Sequence, residues 1–205
     1  MTAHPGVDLG RPAPDVARAL LGCTLVSRVS GEQVEVRLTE VEAYGATDDP
    51  GSHAYRGRTP RNGAMYEAGG TVYVYSIYGL HELLNLVTGP AGEASAVLVR
   101  AGVVVAGLET ALARRGLEAA GPGLARGPGN LAVCLGITRA LDGVRLGPGS
   151  LLDLVPADAP VLRSAVATGQ RVGLRDDGRF ERYWVVGESS VSAFRPAKPA
   201  RPAPE

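Results

Sequence analysis

The chain has 205 residues, 45% of them hydrophobic, with 21 basic and 21 acidic side chains and a formal net charge of zero at neutral pH. That length suits one domain with a real core, and no apolar run approaches the roughly 18 residues of a membrane span. The neutral balance argues only weakly against a nucleic-acid partner, and three histidines, at positions 4, 53 and 81, form no metal-ligand cluster.

MTAHPGVDLGRPAPD carries an acid and several prolines and no apolar stretch, so it does not read as a signal peptide. Pro12 to Leu20 follows as a short helix, with Val16 and Leu20 four apart, and Cys23 to Val29 as a strand. Cys23 and Cys134 are isolated and are expected to be buried free thiols in a reducing, cytoplasmic compartment. QVEVRLTEVEAY, 33 to 44, is an alternating strand. GATDDPGSHAYRGRTPRNG is a long loop of the kind usually functional or disordered. Within it Thr59-Pro60 reads as an N-cap followed by proline at the first helical position. Residues 71 to 78 and 80 to 88 form a hairpin, and Ser95 to Ala101 another strand. Helices are expected near Val105 to Arg115 and Gly129 to Leu135, and strands near 150 to 155, 168 to 174 and 182 to 187. The mixture lacks βαβ regularity and predicts an α+β fold, a single domain over 1–195 with a mostly antiparallel or mixed sheet. The stretch 196–205 reads as a proline-rich extended or disordered tail.

The strand from 33 to 44 carries an irregularity. Val34, Val36 and Leu38 share one face and must meet the core, but continuing the even positions gives Glu40, Glu42 and Tyr44. Either the strand leaves the sheet and exposes both acids, or an acid lines a pocket. Glu40 is assigned to solvent. Glu42 lies between Val41 and Ala43 and two residues from Tyr44, the environment of a pocket carboxylate, which is costly to bury unless paired.

Aromatic residues are only 5% of the chain, yet Tyr73, Tyr75 and Tyr78 crowd into six positions beside Gly79. Alternation puts Tyr73 and Tyr75 on one face and Tyr78 on the other, so one ring can line a pocket while another projects from the hairpin tip. Tyr73 alone reads as an ordinary strand former. On composition His53 is a solvated loop histidine. Arg56, Arg58 and Arg61 are a charged loop, or a phosphate patch beside the helix start at Thr59. Asn85 lies mid-strand in an apolar run, where its amide needs partners. Arg100 reads as a strand-terminal surface residue.

Together, EVEAYGATDDPGSHAYRGRTPRNGAMYEAGGTVYVYSIYGLHELLNLV, AVLVRA, LARGPGNLAVCLGI, QRVGL and VARALLGCTLV resemble the alkyladenine (methylpurine) DNA glycosylases, over roughly residues 10 to 195. The resemblance implies an enzyme of base excision repair that flips a damaged purine out of duplex DNA and hydrolyses its N-glycosidic bond. No cofactor is implied, and the expected partner is double-stranded DNA rather than a membrane, met by a monomer in the nucleoid. By that similarity Glu42 is the general base and Arg100 helps hold the water. Tyr44 on one face, with His53 and Tyr75 on the other, sandwiches the base. Asn85 crowds the 2-amino group of guanine, Tyr78 fills the gap in the stack, and the backbone at Val172 forms part of the water site. Arg56, Arg58, Thr59, Arg61 and His81 are the expected DNA-backbone contacts.

A cationic alkylated purine is already a good leaving group, and hydrolysis of its bond needs one carboxylate beside an oxocarbenium-like state. A lyase forms a Schiff base through an amine, whereas 20 of the 21 basic residues are arginine and the one lysine is Lys198. Excision without strand cleavage is therefore expected. Asn130 stands where the family usually has lysine, His81 where an aromatic is common, and Leu174-Arg175 is also unusual. A binding module using the tyrosines as a stacking platform, or a hydrolase of free nucleosides, are the competing readings.

Overall fold

β2 (Val34–Tyr44) is the spine of the molecule. The computed structural model, which describes residues 6–77, 79, 81–175, 179 and 181–197, pairs β2 along one edge with β5 (Ala96–Ala106). Its other edge is shared. β1 (Thr24–Ser27) takes the first half, from Val34 to Arg37, and β8 (Arg182–Val185) takes Glu40 to Glu42. The sheet continues through β4 (His81–Val87) and β3 (Val72–Ile77) beyond β5, and through β6 (Leu152–Val155) beyond β1. β7 (Val166–Gly169) pairs with β8. Every pairing is antiparallel. With α1 (Ala13–Leu20), α2 (Leu108–Arg115) and α3 (Pro128–Leu135) packed against it, this is the expected single-domain α+β fold.

α1 forms because Ala13, Val16, Ala17 and Leu20 recur at helical spacing and are all buried in the main apolar cluster. Pro12, at its start, lacks only an N–H that the helix leaves unpaired in any case. Cys23 and Cys134 are buried free thiols, as expected. In β2, Val34, Val36 and Leu38 enter the same cluster, but so do Val41 and Ala43. The parity has flipped. Two register shifts between Leu38 and Val41 leave Thr39 of β2 and Arg100 of β5 without a directly opposed residue. An inserted residue re-aims every side chain after it, because the side-chain period is two. Glu40, Glu42 and Tyr44 thus turn away from the apolar core, while residues 38 to 43 stay buried on both faces.

Sequence alternation placed those acids on the core side, and the double bulge corrects that. Glu40 is also not in solvent: it is fully buried. Close crossing of β2 and β5 requires a glycine nearby, since a Cβ on Gly102 would fall 2.3 Å from Val36 Cγ1 and 2.5 Å from the Arg37 carbonyl oxygen.

Other boundaries moved as well. β5 runs to Ala106, so Val105 belongs to a strand and α2 begins only at Leu108. The strand expected at 168 to 174 ends at Gly169, and the residues after it form a turn. No α-helix starts at Thr59-Pro60. The Thr59 N–H donates to Asn62 Oδ1 (2.6 Å), and a 3-10 turn follows at Gly63–Tyr66. Asn62, almost wholly buried, uses its side chain to fold the segment, tying Thr59 to the carbonyls of His53 and Gly57.

Candidate active site

The outer parts of β3 and β4 rise out of the core: Val72 to Val74 are buried, while Tyr75 to Ile77 are only half-buried and His81 is exposed. Gly79 holds φ +66° at the tip, a conformation that suits glycine. Tyr78 and Leu80, on either side of it, lie outside the described residues, and so does the intercalating role expected of Tyr78. Beneath the hairpin lies a cleft of about 1140 Å³. It has two walls of different chemistry.

One wall is aromatic. Strand alternation brings Tyr73 and Tyr75 to the cleft together, with Leu83 and Asn85 beside them from β4. The Tyr73 and Tyr75 rings stack at 5.6 Å between centroids, and His53 meets Tyr75 edge-on at 4.4 Å. His53 Nδ1 lies 2.9 Å from the Tyr73 hydroxyl. His53 is itself exposed on the loop; partial desolvation of its ring, reinforced by the Arg61 charge, lowers its pKa and favours the neutral form. Burial pushes the Tyr73 hydroxyl up to about 12, so it stays protonated. Asn62 fixes the loop under the imidazole by donating to the carbonyls of His53 (2.9 Å) and Gly57 (3.0 Å). Asn85 donates from Nδ2 to the Tyr73 carbonyl (3.1 Å), which gives its buried amide a partner and leaves it at the cleft wall.

The other wall is charged. Glu42 is fully buried. Its Oε1 accepts from the Val172 N–H (2.7 Å), and its Oε2 accepts from the Tyr44 hydroxyl (2.9 Å) and from Arg100 Nη1 (3.1 Å). All three donor residues line the cleft. Burial, then the Glu42 charge, raises the Tyr44 pKa well above its ordinary value, so the hydroxyl remains a donor. Arg100 is 5% exposed, mid-strand and not at a surface terminus. Its burial would lower its pKa, but Glu42 and Glu40 more than offset this and hold the guanidinium charged.

Residues next to this pair do work that sequence reasoning missed. Arg171, at the turn after β7, donates from Nη1 and Nη2 to Asp49 (2.6 and 2.7 Å) and from Nη1 to the Ala43 carbonyl (2.9 Å). Its guanidinium carbon sits 4.6 Å from the centroid of the Tyr44 ring. Asp49 in turn accepts from the N–H groups of Gly45 and Gly51. Burial raises the Asp49 pKa, but the Arg171 and glycine hydrogen bonds outweigh that and hold it below the usual carboxylate range. One turn therefore grips Glu42 through Val172 and holds the Tyr44 ring through Arg171. Tyr73 was read as a plain strand former and is instead the partner of His53. The one available signal was its place two residues before Tyr75 on the same face.

The expected backbone contacts are more dispersed. Arg61 lines the cleft. Arg56 and Thr59 are exposed on the loop, and His81 is exposed at the start of β4. Arg58 is exposed too, but it pairs with Glu67 (3.5 Å) and lies over the Tyr66 ring. Asn130, where a lysine is usual, turns its amide back to the Arg126 carbonyl (2.8 Å) beside the cleft. Among the described residues no group of histidine, cysteine and acidic side chains could hold a metal ion. Among them too, no helix is long and apolar enough to cross a membrane.

Beneath a raised hairpin, the cleft thus sets an aromatic wall against three lining residues that all donate to one buried carboxylate. Comparison with known proteins places the chain in a class. The model of the methylpurine-DNA glycosylase family matches residues 8–189. A protein of Streptomyces avermitilis named "Putative 3-methyladenine DNA glycosylase" is 46% identical over 198 residues, covering 93% of this chain and 91% of its own. Proteins of the same name from Frankia casuarinae and Nocardia farcinica are 46% and 45% identical, covering 98% and 89% of this chain and 96% and 87% of theirs. The chain belongs to the methylpurine-DNA glycosylase family. It is a DNA glycosylase for 3-methyladenine-type bases, a hydrolase of N-glycosyl bonds whose substrate is DNA.

Proposed function

We propose that the protein, acting as a monomer, turns damaged purines out of duplex DNA into the cleft and hydrolyses their N-glycosidic bond without cutting the strand. Alkylated purines, hypoxanthine and ethenoadenine are the substrates. The observation that carries this reading is Glu42: a buried carboxylate whose three donors, Tyr44, Arg100 and Val172, all face the space where a base would lie. Glu42 takes the proton of the attacking water and stabilises the positive charge that develops on the sugar. Arg100 and the Val172 backbone fix the carboxylate and orient that water.

Stacking between Tyr44 and the pair His53–Tyr75 is worth about 1–3 kcal/mol per base and offsets the cost of unstacking the duplex. With His53 neutral, the aromatic wall adds no positive charge against a cationic alkylated purine. Asn85 narrows the slot against the 2-amino group of guanine. Tyr78 fills the gap left in the stack, and Arg56, Arg58, Thr59, Arg61 and His81 meet the DNA backbone.

The test is incubation with duplex oligonucleotides that each carry one lesion. The expected product is an alkali-labile abasic site, with no nick before alkali. Strand breakage without alkali would contradict the monofunctional reading, and release from free nucleosides as fast as from duplex would contradict the flipping step.

A further inference from the structure

Glu40 is a second carboxylate fully shut off from water, and the reaction proposed above leaves it without a role. It is nevertheless a heavily bonded acceptor. Its Oε1 receives Arg100 Nε, Arg182 Nε and the Ser192 hydroxyl, each at 2.8 Å. Its Oε2 receives the Ser192 N–H at 2.6 Å. Burial would raise its pKa, but Arg100, the Ser192 amide and Arg182 together hold it lower, so it stays ionised.

Arg100 spends its donors on three separate groups: Nε on Glu40, Nη1 on Glu42 (3.1 Å) and Nη2 on the Ser192 hydroxyl (3.3 Å). A guanidinium beside a carboxylate ordinarily closes a two-pronged fork onto it. Here only one prong reaches Glu42, because the Nε edge is held from the other side and Arg100 stands in the register break between β2 and β5. Two buried carboxylates also face two buried guanidiniums, with Arg182 lying 4.8 Å from the centroid of Trp184. Ser192 belongs to the last described segment, whose Ser192, Ala193, Arg195 and Pro196 line the cleft.

We propose that Glu40 is a positioning residue: it grips Arg100 by its Nε edge, so that a single Nη1 reaches Glu42, and through Ser192 it fastens the C-terminal segment across the same cleft. Without that grip Arg100 rotates onto Glu42 as a two-pronged ion pair and occupies the carboxylate oxygens that the attacking water needs. Glu40 touches neither base nor water and acts through Arg100. This inference rests on Glu42 being the base.

Single-turnover excision and duplex binding are measured for the wild type, Glu40→Gln, Arg100→Gln and the double variant. Wild-type excision of an alkylated or deaminated purine tests the functional reading separately, and its absence removes both. With it present, Glu40→Gln should lower the excision rate by about 100-fold while lesion-duplex affinity stays within a few-fold. In the Arg100→Gln background the same change should cost nothing further. Ser192→Ala, a milder change, should slow excision several-fold in the wild type and not at all beside Arg100→Gln. It carries the test if Glu40→Gln does not fold. A wild-type rate in a folded Glu40→Gln or Ser192→Ala protein overturns the proposal, as does a full multiplicative loss in the Arg100→Gln background.

Discussion

The two walls of the cleft are held by opposite means. On the charged wall each ionised side chain is buried and paired, and it is aimed by the bulges of β2 and β5 or by the turn after β7. On the aromatic wall the rings rest on strand alternation and one hydrogen bond; Tyr73 is buried, while Tyr75 is half-open and His53 open to solvent. The first arrangement fixes position at the cost of desolvating charges. The second leaves room for a planar ligand to enter and leave. The proposed reaction, which has to hold one carboxylate still while admitting a bulky base, calls for both.

If that contrast is right, single substitutions should hurt the two walls differently. The largest effect is expected at the Asp49–Arg171 pair. Asp49→Ala leaves a buried guanidinium without its main partner and should cost about 3–5 kcal/mol of folding stability, read from urea unfolding. A loss below about 1 kcal/mol would mean that this wall is not held by its charges. Tyr75→Ala should cost stability less and instead weaken lesion-duplex binding by about 1–3 kcal/mol, measured by fluorescence anisotropy. Equal binding to damaged and undamaged duplex, unchanged by the substitution, would break the assignment of the aromatic wall to the base.

The pH dependence of stability should separate the walls again. His53 has a lowered native pKa, so the unfolded chain takes up its proton first. Stability should be undiminished above the ordinary histidine value of about 6.5 and fall as pH drops from there toward the lower native value. Glu40 and Asp49 also have lowered native pKa values, and their contribution is present above about 4 and is lost as pH falls further. Denaturation midpoints across pH should therefore show two acid limbs. His53→Gln should flatten the upper one alone. The smallest effect is expected from Asn85→Ser, which should raise excision of guanine-type bases by up to about tenfold without changing stability much. Unchanged selectivity in competition assays would remove Asn85 from that role.

How far the sequence could be read differs between the walls for a physical reason. The aromatic wall follows from local alternation, so Tyr75 and Asn85 fall on the cleft side as the hairpin pattern requires. The charged wall depends on a double register break that the 33–44 pattern conceals. Alternation carried straight through would leave Glu40 and Glu42 on the core side, and Glu40 was assigned to solvent when it is in fact enclosed by Arg100, Arg182 and Ser192. Arg100 was placed at a strand end because nothing local signals that β5 continues to Ala106. Asp49 and Arg171 are 122 residues apart, and no local spacing connects them. At Thr59 the local signal pointed to a helix; Thr59 and Asn62 do cap each other reciprocally, but only a 3-10 turn at Gly63–Tyr66 follows.

Glu42 is proposed to drive bond cleavage from inside the charged wall. Glu42→Gln tests it most directly, in single-turnover reactions on a duplex carrying hypoxanthine or ethenoadenine, with binding measured alongside. Base release should fall by about 10²–10⁴-fold while the variant still binds the lesion duplex as the wild type does. Release at the wild-type rate by a folded Glu42→Gln protein would contradict it.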